Sequence, residues 1–139
     1  TVGRRIMGRL SRGEDLLAGL ERRCTDWGIQ LGEVRAIGAV SAARFGYYLQ
    51  TDRRYTFLEV KEPQEILSLV GNISLKDGKP MVHAHVTLAD GHRQAVGGHL
   101  AEGTPVFACE FVIQEYISES LLGRRYDEET GLLLWPRGA

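Results

Sequence analysis

The 139 residues hold only two cysteines, four prolines and three lysines. Cys24 and Cys109 are too few, and too unlike any metal spacing, for a disulfide framework or a zinc ribbon. Each lies among apolar residues and reads as a small buried hydrophobe. No apolar run approaches the roughly 18 residues that span a bilayer. The sequence as given opens on no basic-then-apolar leader, so the cytoplasm is the expected location. A formal charge of −1 provides no net field to hold nucleic acid or an anionic membrane. Internal repeats, low-complexity tracts and linkers are also missing, and the length suits one domain spanning 1–139.

Arginine is abundant. Fourteen of the seventeen basic residues are arginines, several of them in pairs such as Arg53–Arg54 and Arg124–Arg125. Apolar residues make up 43% and charged residues 25%, the balance of an ordinary globular protein.

Residues 4–10 read as a first strand. Ser11 and Glu14 have the spacing of a capping box, and Glu14 and Asp15 complement the positive end of a helix. Leu16, Leu17, Leu20, Cys24 and Trp27 then recur at helical spacing, and Gly28 stands where a left-handed C-terminal residue belongs. The remainder reads as strands: Val34–Val40, Arg44–Leu49, Tyr55–Val60, Met81–Leu88, Gln94–Leu100 and Val106–Ile117. On the last of these, Phe107, Cys109, Phe111 and Ile113 are expected on one face. Ile66–Leu75 is expected to open as a helical turn and end as a strand. Asp77-Gly78 and Asp90-Gly91 are hairpin turns, and the tail forms a tight hairpin with Leu132–Trp135 as its return strand. The predicted class is α+β, mostly antiparallel sheet with one main helix packed on it.

The chemistry concentrates in Met81-Val-His-Ala-His-Val-Thr-Leu88. Alternate residues of a strand share a face, so His83 and His85 point together, with Cα atoms roughly 6.5–7 Å apart. His99 follows Gly97-Gly98 in the next strand of the same hairpin, where two glycines permit close backbone approach. Three imidazoles with an open fourth position form the pattern of a catalytic-type zinc site. Three satisfied polar groups in a cleft or at a subunit contact fit the same spacing. His92 belongs to a turn and is expected to be exposed and idle. Glu110, between Cys109 and Phe111, is a candidate to complete a metal shell or act as a base on metal-bound water; a carboxylate so placed more often pairs with an arginine such as Arg35 or Arg93 at a sheet face or interface. Neither phosphate-binding glycine loop is present, and no Ser or Cys sits in a nucleophile elbow.

These residues fall in an order that resembles the plants-and-prokaryotes conserved (PPC) domain family. The matching blocks are Arg9-Leu10, Gly13-Glu14-Asp15, Ile37-Gly38-Ala39-Val40, Gly46-Tyr47-Tyr48, Glu65-Ile66-Leu67-Ser68-Leu69 and Gly71-Asn72-Ile73-Ser74. Asp77-Gly78, Pro80, His83-x-His85-Val86, Gly97-Gly98-His99-Leu100 and Glu110 complete the series over about residues 5–117. The resemblance implies a β-rich fold with a helix on the sheet, a homotrimer of the standalone prokaryotic type, and a divalent metal, zinc, on His83, His85 and His99. It further implies a DNA-associated or regulatory protein. One departure matters: plant members carry an Arg-Gly-Arg-Pro AT-hook, and this chain has only Arg137-Gly138, so minor-groove binding does not carry over and contact with DNA is expected to be weak. The fold is also similar to that of acetolactate decarboxylase, whose zinc is held by an H-x-H pair and a later histidine. That similarity supports an alternative reading, a zinc-dependent enzyme acting on a small carbonyl or carboxylate substrate, with Glu110 transferring a proton and an arginine gripping the substrate.

Overall fold

Asp15 opens the helix. Its carboxylate accepts the Ala18 N–H at 2.9 Å, and its backbone is extended, as an N-cap requires. The same side chain accepts the N–H groups of Gly103 and Thr104 at 2.8 Å, tying the helix start to the loop before the last long strand. The Ser11–Glu14 pair does close on itself, with the Glu14 carboxylate accepting the Ser11 N–H at 2.5 Å, but it shapes the approach to the helix and does not cap it. At the other end Gly28 adopts φ 65°, and the N–H groups of Gly28 and Ile29 return to Thr25 and Cys24. Leu16, Leu20 and Cys24 are completely buried; burying each leucine contributes about 2 kcal/mol.

The computed structural model describes residues 1–138. In chain order the elements are β1 (Val2–Leu10), α1 (Leu16–Trp27), β2 (Gly32–Val40), β3 (Ala43–Leu49), β4 (Arg54–Val60), β5 (Gln64–Lys76), β6 (Lys79–Ala89), β7 (Ala95–Leu100), β8 (Val106–Tyr116), β9 (Arg125–Tyr126) and β10 (Leu133–Leu134). Eight strands form one sheet in the order β1-β8-β2-β5-β6-β7-β3-β4, with every neighbouring pair antiparallel. The tail strands β9 and β10 make a separate hairpin. This is an α+β fold with the helix laid on one face of the sheet. That face supplies the core: Val34 and Ala36 of β2, Leu69 and Ile73 of β5, Val82, Ala84 and Val86 of β6, and Phe111 and Ile113 of β8.

Two expectations fail, for the same reason. Residues 64–76 form one unbroken strand, with no helical turn at Ile66. A bulge between Ile66 and Ser68 inserts one residue, so Ile66, Leu69 and Ile73 all face the core at a spacing that imitates a helix. A second bulge shifts β8 against β2 between Ala39 and Val40. Val106 and Cys109 are therefore buried, and Phe107 leaves the face it was expected to share and is 53% exposed.

The opposite face of the sheet has no helix over it. Register pairs carry a single row across it, Met7–Val112–Arg35–Val70–His85–His99. At one end of this row Met7 is 81% exposed; further along, beside His85, Val70 is 57% exposed, and Ile37 of β2 is 58% exposed. At the other end stand the histidines.

Candidate metal centre

Strand alternation places the first two histidines. Val82, Ala84 and Val86 are drawn into the core, which forces His83 and His85 onto the helix-free face. Their ring centroids are 5.2 Å apart. His99 of β7 is the register partner of His85, and its ring lies 5.1 Å from that of His83 and 5.9 Å from that of His85. One ligand nitrogen from each ring falls within 4.8 Å of the others. A tetrahedral zinc with Zn–N bonds of about 2.0–2.1 Å needs about 3.3 Å between nitrogens, which small side-chain rotations supply. His99 Nδ1 is buried and has no hydrogen-bond partner. A buried polar atom without a partner is costly unless something arrives to fill it, and a cation among three imidazoles does so. The residues present fit a metal.

His83 and His99 are held toward the neutral state that binds one. Burial, then the charges of His99, Arg124 and His85, push the His83 pKa down to about 4. Burial likewise lowers that of His99, with His85 and Arg124 adding to the effect. Neutral imidazole is the ligand form.

Four flanking residues escaped the sequence reading. Asn72 of β5 is the register partner of His83, and the Tyr55 ring of β4 lies 4.7 Å from that of His99. Arg124 and Trp135 come from the tail. The backbone of residues 122–124 bonds to Leu75 through two contacts of 2.9 Å, and Trp135 Nε1 donates to Ser74 Oγ at 2.9 Å. Arg124 then reaches Asn72 Oδ1 at 2.8 Å. A tryptophan on the return strand of a polar tail hairpin was the signal for this docking. A pocket of about 590 Å³ opens between the histidines and the tail, lined by His83, His85, Asn72, Leu122 and Trp135 among others.

The remaining sequence candidates lie elsewhere. His92 is exposed in the β6–β7 turn, its N–H donated to Asp90 Oδ1 at 2.8 Å. Glu110 is exposed on β8, opposite Arg9 and Ile37. It shares the helix-free face but is separated from β6 by β2 and β5, about 14 Å at the usual strand spacing. Within one chain it is not brought to the histidines, and it lines a different pocket with Arg9, Arg35 and Met7. Cys24 and Cys109 are buried, and burial pushes their thiols up to about 12 and about 11, so both are inert.

The pattern of the Plants and Prokaryotes Conserved domain matches residues 1–117. The chain belongs to that family. A metal-containing protein of Archaeoglobus fulgidus has the same fold at TM-score 0.91 and 43% identity, over 99% of this chain and 96% of its own. A Ralstonia eutropha JMP134 protein, provisionally described as DNA-binding, aligns at TM-score 0.84 and 30% identity over 94% of this chain and 89% of that one. Bacillus subtilis α-acetolactate decarboxylase aligns at TM-score 0.59 over 93% of this chain and 59% of its own. At 12% identity that likeness is one of fold alone. The bifunctional protein GlmU of Synechococcus sp. strain JA-2-3B'a(2-13) is 34% identical over 126 residues, 90% of this chain. The chain spans only 19% of the length of that relative.

Proposed function

We propose that this protein is a metal-binding member of the family that works as a homotrimer, holding one zinc ion per chain on His83, His85 and His99. The observations that carry the reading are the convergence of three imidazoles and a His99 Nδ1 that is buried and unpartnered. The metal-containing relative from Archaeoglobus fulgidus supports it, and imidazole suits zinc. Residues 1–139 act as one domain in the cytoplasm; no helix of the described residues is long and apolar enough to cross a membrane. Self-association is supported by Met7, Ile37 and Val70, apolar and exposed on the one sheet face with no helix over it. The biological role is DNA-associated or regulatory, in keeping with the Ralstonia relative; with a net charge of −1, contact with duplex DNA is weak and non-specific. The test is metal analysis of protein purified without a histidine tag and incubated with zinc. About one zinc per chain is expected, and a metal-free protein after incubation refutes the reading.

One observation favours a second reading, a zinc-dependent enzyme acting on a small carbonyl or carboxylate substrate. The three histidines leave a fourth position, and His83 and His85 line a pocket large enough for a small molecule. Zinc there supplies Lewis-acid chemistry. A proton-transfer role for Glu110 then requires a second copy of the chain to carry it across to the histidines.

A further inference from the structure

Arg124 is a half-buried cation with only neutral partners. Its Nη atoms donate to Asn72 Oδ1 at 2.8 Å and to the Leu133 carbonyl at 3.2 Å. Its Nε is buried and bonds to nothing. The guanidinium carbon sits 5.4 Å from the centre of the Trp135 ring. Among the described residues no carboxylate lies within ion-pair distance, whereas Arg4, Arg23, Arg44, Arg54 and Arg137 each have one. Glu33, one strand beyond Asn72, makes no ion pair with Arg124. A guanidinium has five donors in a planar fork, and three of these stay unused.

The location gives that imbalance a meaning. Asn72, which anchors Arg124 at 2.8 Å, stands directly across from His83. The histidine cluster contains no acidic residue. A divalent ion on three neutral imidazoles beside an uncompensated guanidinium would place about three positive charges together, a setting that calls for an anion. The pocket beside them, lined by Asn72, His83 and His85 and bordered by Glu33, also carries Leu31, Ile73, Leu122 and Trp135, which suit the hydrocarbon part of an organic acid better than a bare inorganic ion.

We propose that Arg124, anchored by Asn72 and backed by Trp135, forms an anion subsite that takes a small organic carboxylate between the guanidinium and the three-histidine metal. This rests on the metal reading above and gives its pocket a ligand class. The planar carboxylate matches the fork of the guanidinium.

Cobalt(II) substitution tests it without assuming any activity. Cobalt on three histidines absorbs in the visible, and its bands move when an anion enters. Cobalt-loaded wild type titrated with propionate is expected to show a saturable spectral change. Arg124→Gln should keep its cobalt spectrum, showing that fold and metal site are intact, and bind propionate about tenfold or more weakly; Arg124→Lys should recover part of the loss. Equal propionate affinity in Arg124→Gln and wild type overturns the subsite while leaving the metal centre standing. Inorganic phosphate binding tighter than propionate overturns the carboxylate assignment. Failure of wild type to take up cobalt removes the metal reading itself, and the subsite with it.

Discussion

Gly97 lies so close to Val86 that a Cβ built on it would stand 2.1 Å from the Val86 carbonyl oxygen. On the other side of β7, a Cβ on Gly98 would stand 2.4 Å from the Gly46 oxygen. The two glycines let β7 slot between β6 and β3, and that slot fixes where His99 emerges. Gly97→Ala must push the strands apart. Its expected cost is about 2 kcal/mol in denaturant unfolding, within the range for overpacking, together with weaker zinc binding by titration. A variant as stable and as zinc-avid as wild type would show that β7 can shift without moving His99.

The histidines should be separable by substitution. His85→Ala removes one of three converging ligands and is expected to lower zinc content, by mass spectrometry, to a small fraction of wild type. His92→Ala removes an exposed turn residue held only through its backbone, and the content should stay unchanged. Equal losses in both variants would contradict the placement of His85 on the shared strand face.

The bare sheet face predicts an assembly that can be broken without unfolding the subunit. Ile37 is exposed and makes no part of the core. Ile37→Asp should leave the unfolding midpoint of the isolated chain unchanged while light scattering falls from about three chain masses toward one. An unchanged trimer mass would place the interface elsewhere.

Acid should weaken the metal-free protein in two successive windows. Burial holds the His83 pKa at about 4 against an ordinary 6.5, so the unfolded chain takes up its proton first. Stability is fully present above pH 6.5 and is lost as pH falls toward 4. Hydrogen bonds from the Arg4 side chain and backbone, at 2.8 and 3.0 Å, hold Glu115 at about 2 against 4.5. That contribution is complete above pH 4.5 and disappears as pH falls through 2. Thermal midpoints measured from pH 7 to 2 should fall in both windows. His83→Gln should flatten the upper one and Glu115→Gln the lower one, the latter lowering stability near neutrality by about 1 kcal/mol. A wild-type midpoint that holds steady between pH 6.5 and 4 would mean that His83 is not desolvated in the fold.

What was legible in the sequence follows strict periodicity. The helix could be read because Leu16, Leu20 and Cys24 keep one stripe and Gly28 ends it, and His83 and His85 because nothing interrupts the alternation of β6. At Leu67 and Phe107 a single inserted residue changes the phase, and a bulge leaves no mark in composition. That displaced Phe107 from its expected face and made the start of β5 look helical. The capping signal fell one turn early because Ser11–Glu14 and Asp15 are both competent motifs, and only the tertiary contacts of Asp15 with Gly103 and Thr104 decide between them. Arg124 and Asn72 lie 52 positions apart, and no local pattern joins them.

The docking of the tail through Trp135 and Ser74 separates two jobs along the chain. The histidines all lie within residues 1–117, the stretch that the family pattern matches, whereas Leu122, Arg124 and Trp135 lie after it. The histidines and part of their surroundings are thus encoded in different segments, joined by hydrogen bonds of the tail to β5 and to Tyr48 and Arg53. A change at Leu122, Arg124 or Trp135 therefore alters the charge and shape beside the histidines while leaving the histidine-bearing strands with their own register partners. In this architecture Leu122, Arg124 and Trp135 form a faceplate over a socket built from the sheet.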